Sequence, residues 1–131
     1  MFATDTDETG REIGPAMQYQ VPASVHGINI ANPIPHGGSA SSEAIPSNGW
    51  QKIAVGVTSS KGGALSIQRY LDVAGTIPVG AAISTTLVAA TANSVTATDG
   101  VPFLSFIVTI TNTDGSAAAT LSDLAVLQQS A

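Results

Sequence analysis

The sequence has no cysteine. That excludes a disulfide framework, a thiolate zinc site and dithiol redox chemistry, and it leaves the redox compartment unspecified. Charge is scarce as well. Charged residues are 10% of the chain, against roughly 25% in an ordinary soluble domain. Only four are Lys or Arg, too few for the basic surface that a phosphate backbone or an anionic membrane requires. Neither nucleic acid nor membrane is therefore expected as a partner. Lys, Glu and Arg are also too rare to form the solvated faces of a helical bundle or coiled coil. Aromatics are 5%, so a core must be built from smaller side chains. No apolar run reaches the ~18 residues of a membrane-spanning helix. The first ten residues carry acids where a secretion signal carries bases, so no signal peptide is expected.

What the chain does have is small residues. Ala, Gly, Ser and Thr account for 61 of its 131 positions. Hydrophobic residues at 44% and a mean hydropathy of +0.28 exclude a disordered acidic tail. The length allows one domain, or one small domain with an arm.

The net charge of −5 is unevenly spread. Asp5, Asp7, Glu8 and Glu12 against Arg11 place −3 in the first twelve residues. From Ile13 to Ser42 there is no Asp, Glu, Lys or Arg, while Pro15, Pro22, Pro33 and Pro35 stop helices and favour extended backbone. Isolated apolar residues punctuate this stretch, among them Met17, Tyr19, Val21, Val25, Ile28 and Ile30. A disordered linker is one reading. An uncharged segment set with Ile, Val, Tyr and Met is a poor solvated linker, however. The preferred expectation is an extended N-terminal arm over residues 1–49, whose six apolar residues named above contact a partner. Ser39–Gly49 is expected to be loop.

Beyond Trp50 the pattern changes to strands. Trp50–Ser59 and Ala64–Asp72 alternate apolar and polar residues across Ser59-Ser60-Lys61-Gly62-Gly63, which predicts a β-hairpin. Ile83–Ala90 and Asn93–Thr98 read as Thr/Val/Ala strands. Val101–Asn112 is the strongest strand, apolar on both faces and so central, with Phe103 and Phe106 in the core. Asp114-Gly115 predicts a second hairpin, pairing that strand with Ala117–Gln128. A helix over Ser116–Gln129 is the rival for the last element. Five or six strands in about 80 residues predict an all-β fold, an antiparallel sandwich or barrel, over residues 50–131.

Chemistry-bearing groups are few. Both histidines, His26 and His36, lie in the Pro/Gly-rich stretch, a poor place to fix a catalytic imidazole. No G-x-S-x-G and no P-loop motif occurs. Asp5, Asp7, Thr9 and Gly10 match the first half of a Ca²⁺ loop, but Ala16 stands where its bidentate glutamate belongs. No enzymatic activity, metal or cofactor is expected. Trp50 serves either as a sugar-stacking platform or as a plug at the sheet end. Tyr70 falls on the Ser66/Gln68 face, exposed or at an interface. Arg69 shares the face of Leu65, Ile67 and Leu71. It is paired at a strand end, lies in a subunit contact, or is turned to solvent.

The run GWQKIAVGVTSSKGGALSIQRYLDVAGTIPVGA, the Ala/Thr-rich strands after it, and ATDGVPFLSFIVTITNTDGSAAATL resemble small β-sandwich virion proteins of tailed bacteriophages. These include head decoration or cement proteins and spike-base modules. The resemblance covers about 80 residues and lies in composition and strand rhythm. It implies a jelly-roll-like sandwich on the outer surface of the phage head, bound to the major capsid protein and to copies of itself, often as trimers, with an arm bridging subunits. A receptor- or carbohydrate-binding fibre module and a tail or connector subunit are the alternatives it implies.

Overall fold

A computed structural model describes residues 23–26 and 28–129, with only the backbone described over 23–26. Its described residues form nine strands and no helix. They are β1 (Ala23–His26), β2 (Ser39–Ser41), β3 (Ile45–Pro46), β4 (Lys52–Ser59), β5 (Gly63–Tyr70), β6 (Pro78–Leu87), β7 (Thr91–Ala97), β8 (Ser105–Asn112) and β9 (Leu121–Gln129). Two antiparallel sheets result. One has the order β1-β9-β4-β7. The other has the order β2-β8-β5-β6, with β3 also paired to β8.

The alternation read from the sequence sets the inner faces. Ile53, Val55 and Val57 of β4 face Leu65 and Ile67 of β5 across the sandwich, and Phe106, Val108 and Ile110 of β8 and Val126 of β9 complete the core. β8 is central, flanked by β5 on one side and by β2 and β3 on the other. Phe103 meets Phe106 edge-to-face at 6.2 Å, the arrangement that ring quadrupoles favour. The last element is a strand.

The expected hairpins are not formed. β4 and β5 lie in different sheets, and so do β8 and β9. Ser60–Gly62 and Thr113–Thr120 instead carry the chain from one sheet to the other. Among the turns between β4 and β9, the β5–β6 turn alone joins neighbours in one sheet. Gly63 shows the local reason for one of these passages. A Cβ there would stand 1.8 Å from the Thr111 carbonyl oxygen, so only glycine admits β8 at this point.

The boundary expected at 49/50 also differs from the structure. Ile30, Ile34 and Ile45 are buried in the same core as the later strands. Ile34 and Ala119 exchange main-chain hydrogen bonds of 2.9 and 2.8 Å. The Asn32 amide mimics a strand, donating to the Leu121 carbonyl and accepting from its N–H at 3.0 Å each. The stretch expected to be loop supplies β2 and β3, two halves of one edge strand interrupted at Ser42–Ala44. The physical reason is the absent charge itself. Uncharged, β-branched residues are as suited to this chain's own core as to a partner's surface.

The turns collect at two ends. At one end Asn112, buried, donates its amide to the carbonyls of Ile34, Pro35 and Ala117, and its side-chain oxygen accepts from the Asp114 N–H. The Asp114 carboxylate accepts from the N–H groups of Ser116 and Ala117. Together these fix the β8–β9 passage.

Candidate interaction surface

The opposite end is built from three connections: Ser47–Gln51, Leu71–Ile77 and Thr98–Leu104. Main-chain bonds tie them together. The Leu104 N–H donates to the Tyr70 carbonyl and the Ser47 N–H to the Leu104 carbonyl, both at 2.8 Å. The Ser105 hydroxyl donates to the Asp72 carbonyl at 2.6 Å. Buried Gln128 donates its amide to the carbonyls of Pro46 and Ser47.

The β5–β6 connection is held from within. The Asp72 carboxylate accepts from the N–H groups of Thr76 and Ile77 at 2.9 Å each and from the Thr76 hydroxyl. These bonds hold its carboxyl below the usual carboxylate range, with the Thr76 hydroxyl as the largest cause. Gly75, at φ +75°, leans on β8: a Cβ there would meet Ala44 and Ile107 at 3.1 and 3.3 Å.

This framework presents apolar side chains to solvent. Leu71, Val73, Ile77 and Leu104 are 49%, 60%, 53% and 51% exposed. They are four of the six large hydrophobic side chains that stand exposed among the described residues. The sequence reading missed them. It placed Leu71 inward by continuing the β5 alternation, but the strand ends at Tyr70. The available signal was Leu71-Asp72-Val73 and Thr76-Ile77-Pro78, apolar residues around an Asp whose side chain closes a turn.

Beneath this surface lies Arg69, 3% exposed. Its guanidinium donates twice to Asp99, at 2.5 and 2.9 Å, and stands 5.9 Å from the centre of the Phe103 ring. Of the readings left open by the sequence, pairing at a strand end is the one realised, and burial removes Arg69 from direct contact with a partner. Its Nε is buried without a hydrogen-bond partner, as is Oε1 of Gln128. Asp99 also accepts from the Val101 N–H. The Arg69 hydrogen bonds, then that of Val101, hold the Asp99 carboxyl far below its ordinary range.

The other sequence-derived candidates are dispersed. Met17, Tyr19 and Val21 lie outside the described residues, as does the acidic Asp5–Glu12 segment. Val25 stands opposite Leu127 in the β1–β9 register. Ile28 packs partly against this chain's own core and Ile30 lies within it, so Ile30 is not a free contact. Tyr70 is half-buried at the end of β5. Trp50 is half-buried in the β3–β4 connection, where its main-chain N–H donates to the Ser47 carbonyl. His36 is exposed in a loop. Among the described residues, no three His, Asp or Glu side chains are grouped as metal ligands.

The chain enters β1 at this same apolar end. Ala23 pairs with Gln129, which pairs with Lys52. Ala23, the first described residue, therefore lies at the end of the sandwich that carries Leu71, Val73, Ile77 and Leu104. No protein-family model matches the chain, and no curated protein matches it in sequence.

Proposed function

We propose that this chain is a structural protein of a phage particle, a head decoration or cement protein, attached to the capsid shell through its apolar end and the uncharged segment Ile13–Pro22. The observation that carries the reading is the rigidly framed apolar end. A surface of four exposed aliphatic side chains, three on the internally hydrogen-bonded β5–β6 connection and Leu104 on the connection tied to it, suits lasting burial against another protein. Its framework is already ordered, so little entropy opposes docking.

The strand order supports a jelly-roll reading. With β2 and β3 counted as one interrupted strand, two four-stranded sheets are joined by passages that cross between them. Jelly rolls of this kind are common in viral capsid proteins and in lectins. Fold alone does not assign function, so the contact surface must be tested.

The test is co-sedimentation of the full chain with capsid shells from the particle whose genome encodes it, prepared without this protein. The unmodified chain pellets with the shells. Val73→Asp with Leu104→Asp, both at exposed positions, lowers the affinity at least about tenfold while leaving the melting temperature unchanged, because a desolvated carboxylate opposes docking. Replacing residues 13–22 by an equal length of Gly and Ser weakens binding further. Binding untouched by both changes would remove the proposed surface. A glycan array, with Trp50→Ala and Tyr70→Ala as controls, separates the receptor- or carbohydrate-binding alternative, which requires binding that those substitutions abolish.

A further inference from the structure

Unpaired sheet edges invite pairing with other chains, and proteins ordinarily blunt them with short strands, proline, bulges or charge. Three of the four edges here carry such a device. β1 has four residues, directly after Pro22. The β2 and β3 edge has strands of three and two residues and contains Pro46. β6 begins at Pro78 and is bulged. Gly80–Ala82 stand opposite the single residue Gln68, whose amide donates to the Gly80 carbonyl at 3.2 Å.

β7 carries none of these. Its seven residues, Thr91–Ala97, pair with Ile53–Ser59 without interruption and include no proline and no charge. Thr91, Ala92, Ser94 and Thr96 are exposed. Among the described residues, its main chain makes one further bond beyond that ladder, from the Thr91 N–H to the Val88 carbonyl.

We infer that β7 is an interface with a second copy of this chain, the two β7 strands pairing antiparallel about a dyad at Ser94. The charge distribution selects this occupant. The chain carries −5, with −3 of it in the first twelve residues, so copies meet best where acids are absent. Val73–Thr98 is a stretch of 26 residues without any charge, and β7 lies within it. The nearest acid on the outer face of the sheet is Asp123 of β9, two strands inward. Across the dyad the two Asp123 residues stand about 24 Å apart at a strand spacing of ~4.8 Å, well beyond the ~8 Å screening length of physiological salt. Asp99, just past the strand, is paired with Arg69. Full overlap of the seven residues sets Ser94 opposite its counterpart and Ala92 opposite the other copy's Thr96. All are small enough for strands to meet. The pairing makes the assembled unit even-numbered, unlike the trimers implied by resemblance, and it does not depend on attachment to a capsid.

The absence of cysteine makes the test clean. Sedimentation velocity of the full chain over a concentration series shows a monomer–dimer equilibrium. Ser94→Lys with Thr96→Lys weakens it at least about tenfold, because the side chains introduced at 94 then stand directly opposite each other with like charge, and each one introduced at 96 lies diagonal to that at 94 of the other copy. The far-ultraviolet circular dichroism spectrum stays that of the parent. Ser94→Cys crosslinks into a dimer under mild oxidant, since opposed residues lie ~4.5–5.5 Å apart at Cα, within disulfide reach. Thr86→Cys on β6 does not crosslink. A monomer at every concentration overturns the proposal. So does association that survives the lysines, or one that disappears when residues 13–22 become Gly and Ser while Ser94→Cys fails to crosslink. That last result assigns the partner as the N-terminal segment of another copy. Each readout is independent of capsid binding, so failure here and failure of the capsid reading are distinguishable.

Discussion

Arg69 is the residue at which the fold accepts a charge into its interior. Its cost is offset by one carboxylate, half-exposed Asp99, and by the face of Phe103. Because Asp99 titrates lower in the folded chain than in the unfolded one, its contribution is complete above its unfolded pKa, near 4. It is lost as the pH falls through the depressed folded value. Asp99→Asn therefore melts at a lower temperature than the parent at pH 7. The difference narrows as both are titrated well below pH 4, as thermal melts across pH will record. The pairing of Arg69 was legible as one of three options, since an arginine on an aliphatic face needs a partner. Its identity was not, because Asp99 is thirty residues away and lies after a strand of the opposite sheet. Leu71 was misread at the same scale, because the pattern of alternation does not announce where a strand stops.

At the scale of elements, alternation located the strands from β4 to β9, while their neighbours stayed hidden. Asp114-Gly115 and Lys61-Gly62-Gly63 are turn chemistry, and a tight turn serves a passage between sheets as well as a hairpin. What decides is the partner available to each strand. β8 finds β5 and the β2–β3 strand, and β9 finds β1 and β4. Prolines obscured the role of residues 28–49, yet Ile34 between two of them is fully buried. Ile34→Ala should cost about 2–5 kcal/mol, measured by urea unfolding of the full chain. A loss below about 0.5 kcal/mol, the range of surface substitutions, would mean that this stretch does not belong to the core.

For the whole molecule, the scarcity of charge becomes a statement about salt. Contacts made by the neutral β7 edge and by the apolar end draw little on Coulomb attraction, so screening has little to remove. Association between copies should change less than about threefold between 0.1 and 1 M NaCl, by sedimentation. A steep weakening would point to ionic contacts outside these surfaces. The candidate surface itself was only partly legible, because four aliphatic side chains become a patch through turns that converge in space. The order β1-β9-β4-β7 has a further consequence, for synthesis. The strand that separates β1 from β4 is the last of the nine described strands to be made. A ribosome that has polymerised everything up to Thr120 holds a chain whose first sheet has an empty slot in the middle. Until β9 is added, β1 and β4 face that slot with unpaired main chain, so a chain stalled before Leu121 carries two open edges of the kind that draw in other chains.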